Sequence, residues 1–191
     1  MNIPFKGTRW FKCDLHLHTP ASKCFEDKTV TAEQWVEKAI EKGLNCVAVT
    51  DHNTGEWIDS IKLAAQDKNL FVFPGVEITC DTSKVHLLIL FDTNKTSSDV
   101  NDFIIRCGID RAKLADQTAS TTENIFQIAH KAHEHGAIVI PAHIDEFNGL
   151  SQISFDNLDK FFELPYINAT QIIHKDFLTT GLQINGNTSL K

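Results

Sequence analysis

The feature that most constrains this sequence is the hexapeptide Asp14-Leu-His-Leu-His-Thr, in which two histidines alternate with two leucines. Side chains two residues apart share one face of a β-strand, so His16 and His18 point to one side and the leucines to the other. Two imidazoles on one face form a ready chelate for zinc, iron or manganese, which suit neutral nitrogen better than calcium does. Solvated histidines on a half-buried strand would show the same alternation, so this stretch alone leaves both interpretations open.

Length and composition favour a single folded domain with reduced thiols. A chain of 191 residues, 42% hydrophobic and 23% charged, is large enough to bury a core without disulfides. The five cysteines are scattered and form no Cys-x-x-Cys pair, as expected for a cytoplasmic protein. No apolar run approaches the roughly 20 residues of a membrane span. We therefore predict one cytoplasmic domain over residues 1–191, without a membrane partner.

Net charge limits how this chain could bind nucleic acid. Eighteen Lys and Arg against 25 Asp and Glu give a formal charge of −7, so the sequence provides no broad basic surface that holds phosphates by counterion release. Divalent cations in a site would still make that site locally positive. Composition therefore argues against nucleic-acid binding by this domain alone, but a metal site could still provide it.

Hydrophobic periodicity and capping signals predict alternating strands and helices. Thr31, with Gln34 three residues later, forms a capping box for a helix that Gly43 ends. Residues 112–122 fit either a helix or a mobile loop. The opening βαβαβ order implies a parallel sheet with polar residues at its strand ends. The predicted elements are strand 10–19, helix 32–42, strand 45–50, helix 56–67, strand 70–73, strand 85–91, helix 99–109, helix 123–134, strand 137–141, helix 155–162 and strand 167–173.

A short connection after Glu77 predicts a change of strand direction. Only eight residues, 78–85, separate Glu77 from His86, whereas a parallel crossover needs about a dozen. Strands 70–73 and 85–91 should therefore be antiparallel, which brings His86 to the edge where the earlier strands end. Because α/β folds build their sites at such edges, we predict a metal site there. Its five groups of side chains are His16 with His18, Asp51 with His52, Glu77, His86 and His143.

Five motifs occur in a fixed order along the chain. They are Asp14-Leu-His-Leu-His-Thr, Val49-Thr-Asp-His-Asn, Pro74-Gly-Val-Glu-Ile-Thr, Val85-His-Leu-Leu and Pro141-Ala-His. Together they resemble the successive motifs of the PHP family, the polymerase and histidinol phosphatase domains, over residues 14–145. The resemblance implies a distorted (βα)7 barrel with two or three divalent ions, usually zinc, manganese or iron. It also implies hydrolysis of phosphate esters or of phosphodiesters in nucleic acids.

The resemblance also implies a role for each group of side chains. Glu77 would bridge a first metal, held by the two histidines of the first motif, to a second metal. His52 would belong to a third metal. Asp51 either orients a ligand from behind or caps the following helix. Asp51, His52 and Glu77 are the candidate catalytic residues. The implied metal ligands are His16, His18, His52, Glu77, His86 and His143.

Two departures from the family pattern leave parts of the site open. Where members usually carry an acidic residue or histidine after the first motif, this chain has Lys23 and Cys24. Cys24 either binds the third metal as a thiolate or is a small buried apolar residue, and Lys23 is a candidate contact for a substrate phosphate. The family's C-terminal Asp-x-His is absent, and its nearest candidate is the reversed pair His174 and Asp176. We therefore expect that this chain lacks the last barrel strand, or that a longer protein with an ATPase domain or subunit supplies it.

Other aromatic residues fit ordinary structural roles. His130, His133 and His135 crowd the end of the predicted helix 123–134, where imidazolium interacts well with the helix dipole. Trp35 and Trp57 lie at helical spacing with other apolar residues and are predicted to belong to the core. We assign none of these side chains to the metal site.

Together the residues predict a metal-dependent phosphoesterase. Two ions bridged by Glu77 would generate a hydroxide from a shared water, hold the phosphate oxygens and neutralise developing charge. Neither a Gly-x-Ser-x-Gly nor a Walker sequence occurs. The first hypothesis is hydrolysis of phosphodiesters or phosphomonoesters, in nucleotides or in nucleic acid, DNA or RNA. The alternatives are a catalytically weakened PHP domain that serves as a structural or partner-binding module, a small-metabolite phosphatase, and hydrolysis of an amide or lactone at the same site.

Overall fold

Strands and helices alternate along the chain, largely as the sequence periodicity predicts. The computed structural model describes residues 10–150 and 153–176, together with the backbone of residues 182–184 and 187–190. The helices are α1 (Ala32–Glu41), α2 (Ile58–Ala64), α3 (Ser97–Arg106), α4 (Ile125–Glu134) and α5 (Phe155–Phe162), and one 3-10 turn covers Arg111–Lys113. The strands are β1 (Cys13–Leu17), β2 (Cys46–Val49), β3 (Phe71–Thr79), β4 (His86–Leu90), β5 (Ile138–Pro141), β6 (Leu182–Ile184) and β7 (Asn187–Leu190).

Five of these strands form one sheet in sequence order, β1-β2-β3-β4-β5. β1, β2 and β3 run parallel, whereas β4 is antiparallel to both of its neighbours. The predicted change of direction after Glu77 is thus confirmed, and Thr79 lies opposite His86. One edge of the sheet therefore collects the carboxyl ends of β1, β2, β3 and β5 and the amino end of β4.

The third strand is longer than the sequence predicts. The expected strand stops at residue 73, but β3 continues to Thr79 and contains Glu77. A Pro-Gly pair is a common turn signal, yet both residues fit here. The Pro74 carbonyl accepts a hydrogen bond from the Phe91 amide at 2.8 Å. At Gly75 a Cβ would lie only 3.0 Å from the Ile89 carbonyl oxygen, so the glycine permits close pairing with β4.

The main sheet is curled towards closure at the edge that carries the site. Gln171 pairs with the end of β5, since its amide donates to Pro141 at 2.9 Å and its carbonyl accepts from Ile144 at 3.0 Å. The side chain of Gln171 also lies 2.8 Å from His16 on β1. The two outer strands therefore approach each other at this end. The molecule has an α/β fold with a curled, half-barrel sheet.

One predicted strand takes a different form, and one open alternative is decided in favour of a loop. Residues 167–173 are not a regular strand, because only Gln171 among them pairs with β5. Residues 112–122 form a loop beyond the 3-10 turn, and the Asn53 amide holds it by donating to the carbonyls of Asp116 and Ala119. Within the described residues β6 pairs only with β7. The (βα)7 barrel stays a prediction.

Apolar side chains cover both faces of the sheet. All four residues of β2 are buried, so this strand is covered on both sides. The larger core lies between the sheet and the helices and includes Val47, Val49, Val76, Ile78, Leu87 and Ile89. The smaller one, on the opposite face, contains Ala48, Leu88, Leu90, Ile140 and Ala142. None of the helices in the described part of the chain is both long and apolar enough to span a membrane.

Helix α1 is fixed directly to the end of β1. Its predicted capping box is confirmed: Thr31 Oγ1 accepts from the Gln34 amide at 3.3 Å, and Gln34 Oε1 accepts from the Thr31 amide at 2.9 Å. Trp35 is buried in the core, as predicted, and its indole nitrogen donates to the His18 carbonyl at 2.9 Å. This hydrogen bond ties the helix to the backbone of a candidate metal ligand.

We expect Trp35→Phe to destabilise the protein by about 1–2 kcal/mol, because the partly buried His18 carbonyl loses its donor while most of the packing remains. In a chain of this size that lowers the melting temperature by roughly 2–8 °C. Trp57→Phe is the matched control, since the half-buried Trp57 ring nitrogen makes no hydrogen bond within the described residues. Equal melting temperatures for the two variants would contradict the role of the Trp35 hydrogen bond.

Candidate metal centre

The carboxylate of Glu77 lies at the centre of the candidate site. Glu77 is on β3 and is only 1% exposed. Three imidazole nitrogens surround its Oε2 atom: His16 Nε2 at 3.0 Å, His18 Nε2 at 2.9 Å and His52 Nδ1 at 3.1 Å. Oε2 of Glu77 therefore has three imidazole nitrogens within 3.1 Å.

The second oxygen of Glu77 has its own pair of histidines. His86 Nδ1 lies 2.7 Å and His143 Nε2 lies 3.0 Å from Oε1. The rings of His86 and His143 also meet edge to face, with centroids 5.3 Å apart. All five predicted histidines therefore meet on one carboxylate, which divides them into sets of three and two.

The strands of the main sheet position the five histidines, which lie on a strand or directly beyond its end. His16 and His18 share a face of β1, as their spacing predicts, and their ring centroids are 5.1 Å apart. His52 follows β2 and forms an isolated bridge with Glu77. His86 opens β4. His143 follows β5 with a φ of 29°, a left-handed conformation that is uncommon outside glycine and is found most often at functional sites.

Electrostatics keeps Glu77 ionised despite its burial. Burial by itself would raise the pKa of Glu77, but hydrogen bonds with four histidines outweigh it and hold that pKa well below its usual range. Burial also opposes the charged form of His16, yet the hydrogen bond and negative charge of Glu77 raise the pKa of His16. Burial lowers the pKa of His52 to about 4. The centre therefore combines a carboxylate anion with at least one neutral imidazole at neutral pH.

The donor set fits divalent metal ions. His52 Nδ1 is buried and makes no hydrogen bond within the described residues, although it lies 3.1 Å from Glu77 Oε2, so this nitrogen is available as a metal ligand. Imidazole nitrogens with a carboxylate oxygen are the ligands of zinc, iron and manganese sites. Three groups have their ligand atoms within 4.8 Å of one another: His16 with His18 and Glu77, His52 with Glu77 and His86, and His18 with Cys24 and His52.

Cys24 lies beside this cluster and not in the core. Its sulfur is 2.9 Å from His18 Nδ1, and the residue is exposed, so the alternative of a buried apolar cysteine is wrong. Partial burial of the sulfur raises the pKa of the Cys24 thiol. Lys23 is also exposed. The Gln117 side-chain amide faces this segment, and with its oxygen turned inwards it would accept from the backbone amides of Lys23 and Cys24 at 3.2 and 3.0 Å.

Asp51 supports the loop that follows β1. It does not cap a helix, because α2 begins at Ile58, so that alternative is wrong. Its buried carboxylate accepts from the Thr19 amide at 2.7 Å, the Thr19 hydroxyl at 2.6 Å and the Ser22 hydroxyl at 2.6 Å. Ser22 Oγ in turn accepts from the His52 amide at 3.0 Å. Asp51 thus fixes two ligand-bearing segments from behind.

The reversed pair His174 and Asp176 lies apart from the five histidines. The His174 side chain is 63% exposed and contacts Glu146 Oε1 at 2.7 Å, while its amide donates to Asp145 at 2.7 Å. Asp176 is also exposed. The structure brings neither residue to Glu77, and their role as ligands stays a prediction.

Sequence reasoning missed three polar residues behind the ligands. Gln171 contacts His16, and its oxygen accepts from the His143 amide at 3.1 Å. Thr19 and Ser22 are the partners of Asp51. Thr19 is the last residue of the first motif and Ser22 is three residues further on. Their position next to the ligands could have predicted that they support the site. Gln171 has no such signal, because its contacts depend on the curl of the sheet.

Comparison with known families identifies the class of protein. The model of the PHP domain family matches residues 14–177 of this chain. The chain therefore belongs to the PHP domain family. The resemblance of its five motifs is confirmed over a longer stretch than the motifs themselves span.

Two curated relatives share parts of the chain. A 5'-3' exoribonuclease of Haemophilus influenzae is 35% identical over 68 residues, which cover 36% of this chain and 23% of that protein. A PolC-type DNA polymerase III of Clostridium perfringens is 27% identical over 139 residues, which cover 64% of this chain and 10% of the polymerase. The chain thus spans less than a quarter of the length of either relative.

Solved structures support the fold alone, because their identities are low. A protein from Bifidobacterium adolescentis that is assigned to the metal-dependent phosphoesterases has a TM-score of 0.62 at 17% identity, over 84% of this chain and 77% of its own. An amidohydrolase from Chromobacterium violaceum has a TM-score of 0.58 at 12% identity, over 83% and 76%. Both share the α/β architecture of this chain.

We expect zinc or manganese to stabilise the protein by about 2.7 kcal/mol at a concentration 100 times the dissociation constant. His86→Ala removes one nitrogen from Glu77 and should weaken binding at least tenfold, about the smallest loss seen even for residues that support ligands from behind. His174→Ala is the control, and we expect wild-type affinity in calorimetric titration. A loss of affinity in His174→Ala equal to that in His86→Ala would show that His174 belongs to the site.

We expect Asp51→Asn to destabilise the fold by about 2 kcal/mol or more, since an amide cannot replace a buried carboxylate that accepts three hydrogen bonds. Urea unfolding measures this loss. Asp27→Asn is the matched control, because Asp27 accepts from the amide and hydroxyl of Thr29 in the same way but is fully exposed. Equal midpoints for the two variants would contradict the anchoring role of Asp51.

Proposed function

We propose that this chain is a divalent-metal-dependent phosphoesterase. One observation carries the proposal: five imidazoles meet on both oxygens of a single buried carboxylate, at the edge of the sheet where the strand ends converge. Membership in the PHP domain family supports the same conclusion. A buried carboxylate surrounded by imidazole nitrogens, of which His52 Nδ1 makes no hydrogen bond with the described residues, provides the ligand types that divalent transition metals prefer.

The ligand residues would form two metal positions that share Glu77, and a third position beside them. His16, His18 and Glu77 Oε2 would hold one ion, while Glu77 Oε1 with His86 and His143 would hold a second. His52 with His18 and Cys24 would form a third position. Divalent ions bound there polarise phosphoryl oxygens and lower the pKa of bound water.

The chain's own residues prepare this site in separate ways. Glu77 stays ionised, so it can serve both positions without first losing a proton. His52 is neutral at neutral pH, and its buried Nδ1 is unengaged by hydrogen bonds. The raised pKa of Cys24 makes its thiol a weak nucleophile. These properties favour attack by water over a covalent intermediate on the protein.

We propose nucleotides or nucleic acid, DNA or RNA, as the substrate. Two relatives of this chain, an exoribonuclease and a DNA polymerase, support this choice. The net charge of −7 means that bound cations, with nearby lysines such as the exposed Lys23, must attract the phosphates. A contact between Lys23 and a substrate phosphate is part of the proposal.

The alternative function is a catalytically weakened PHP domain that binds a partner. The surface position of His174, away from Glu77, favours it, because the family's C-terminal Asp-x-His then has no substitute among the described residues. Metal analysis separates the two functions. Two or more ions per chain support the enzyme, whereas no bound ion and a melting temperature unchanged by a chelator support the module.

The proposal has a structural part as well. We propose that residues 1–191 form one PHP domain of a cytoplasmic protein and that further strands complete its (βα)7 barrel. Within the described residues the outer side of β1 pairs with no strand and that of β5 pairs only with Gln171, which also contacts His16 on β1; this arrangement supports the proposal. An ATPase domain or subunit as partner stays a prediction of the sequence.

We expect the manganese-loaded protein to hydrolyse bis-nitrophenyl phosphate and short labelled oligonucleotides. Glu77→Gln should reduce the rate at least about 100-fold, the scale of losing one electrostatic partner of a transition state. His130→Ala, an exposed histidine paired with Glu134 on α4, should keep the wild-type rate. If wild-type protein that retains two ions cleaves neither substrate, the phosphoesterase proposal is wrong.

A further inference from the structure

Gln171 connects the two ends of the candidate site from outside the ligand set. Its side-chain Oε1 lies 2.8 Å from His16 Nδ1 and 3.1 Å from the backbone nitrogen of His143. We propose that Gln171 is a positioning residue that holds His16 in the tautomer able to bind metal through Nε2. This inference rests on the proposed function, because it concerns the same metal site.

The backbone of His143 determines which way the Gln171 amide faces. A backbone N–H can only donate, so the atom 3.1 Å from it must be the amide oxygen and not the NH2 group. The same oxygen faces His16 Nδ1. Because that oxygen can only accept, His16 Nδ1 must carry a hydrogen and donate it. The hydrogen bond from the His143 amide therefore determines which side of the Gln171 amide group is the oxygen, a choice that usually has to be assumed for glutamine.

This tautomer has a direct consequence at Glu77. With the hydrogen on Nδ1, the Nε2 atom of a neutral His16 carries a lone pair, and it lies 3.0 Å from Glu77 Oε2. Two acceptors at that distance repel each other unless a cation lies between them, either the proton of a His16–Glu77 hydrogen bond or a metal ion that replaces it. Gln171 thus prepares His16 to receive a positive ion at Nε2.

Gln171 is itself held rigidly, as a positioning residue must be. Its backbone amide donates to Pro141 at 2.9 Å, and its carbonyl accepts from Ile144 at 3.0 Å. These two hydrogen bonds flank His143 in the chain. The side chain then crosses to β1, so one residue couples the first and last ligand-bearing segments of the curled sheet. A shift of Gln171 would move both His16 and His143.

The direct test is the tautomer of His16 in metal-free protein, at a pH where this histidine is neutral. Long-range proton–nitrogen NMR spectra distinguish the two forms, and we expect the hydrogen on Nδ1. This measurement needs no variant that might fail to fold and no bound metal. A wild-type His16 with its hydrogen on Nε2 would overturn the proposal.

Variants test the role of Gln171 itself. Gln171→Leu removes the acceptor, so we expect the hydrogen of His16 to move to Nε2, towards Glu77, and zinc affinity in calorimetric titration to fall 10- to 100-fold. Gln171→Glu keeps an acceptor for both donors and should restore the Nδ1 hydrogen. Gln127→Leu is the matched control, because Gln127 also accepts from a backbone amide, that of Asn124 at 3.0 Å, but lies on α4. It should change stability without changing the His16 signals.

The outcomes separate this inference from the proposed function. If wild type binds metal and hydrolyses phosphodiesters, but Gln171→Leu keeps the wild-type tautomer and zinc affinity, the inference fails and the phosphoesterase proposal stands. If wild type binds no metal, the phosphoesterase proposal fails, while the tautomer in metal-free protein still supports or overturns the role of Gln171.

Discussion

The structure depends on the burial of one negative charge, the carboxylate of Glu77. Moving an ionised carboxylate out of water costs several kcal/mol unless other groups compensate. Here the compensation comes from four imidazoles that hydrogen-bond to Glu77, those of His16, His18, His86 and His143, while the neutral His52 after β2 lies 3.1 Å from the same carboxylate. Every strand of the main sheet therefore has to bring its end to the same place, and this requirement favours a curled sheet over a flat one.

A second layer of polar groups holds the ligands where the sheet delivers them. Asp51 fixes the segment of Thr19 and Ser22, and through Ser22 it also fixes the backbone of His52. Gln171 performs the corresponding task on the opposite side, between His16 and His143. Both residues accept a hydrogen bond from a backbone amide, Asp51 from that of Thr19 and Gln171 from that of His143. The ligand geometry is thus determined by the backbone of the fold, which is a more rigid support than side-chain packing alone.

Local signals in the sequence predicted local structure well. The alternation of His16 and His18, the capping box at Thr31 and the antiparallel turn after Glu77 each depend on residues close in sequence, and the structure confirms them. The errors arise where distant pairing decides. Pro74 fits inside β3 because its carbonyl accepts a hydrogen bond from Phe91, the residue after β4. Residues 167–173 form no regular strand because only Gln171 pairs with β5. Gln171 could not be found from sequence, since its partners are 28 and 155 positions away.

The uneven division of the histidines matters for the chemistry that the site can support. Oε2 of Glu77 faces three nitrogens and Oε1 faces two, so each oxygen has its own donors. A carboxylate in that position can serve two cations at once, whereas a carboxylate with all its donors on one oxygen would serve only one. Two divalent cations would bring a charge of about +4 to a centre in which Glu77 supplies a negative charge. Under the proposed function, this local excess is what allows a chain with a net charge of −7 to attract a phosphate ester.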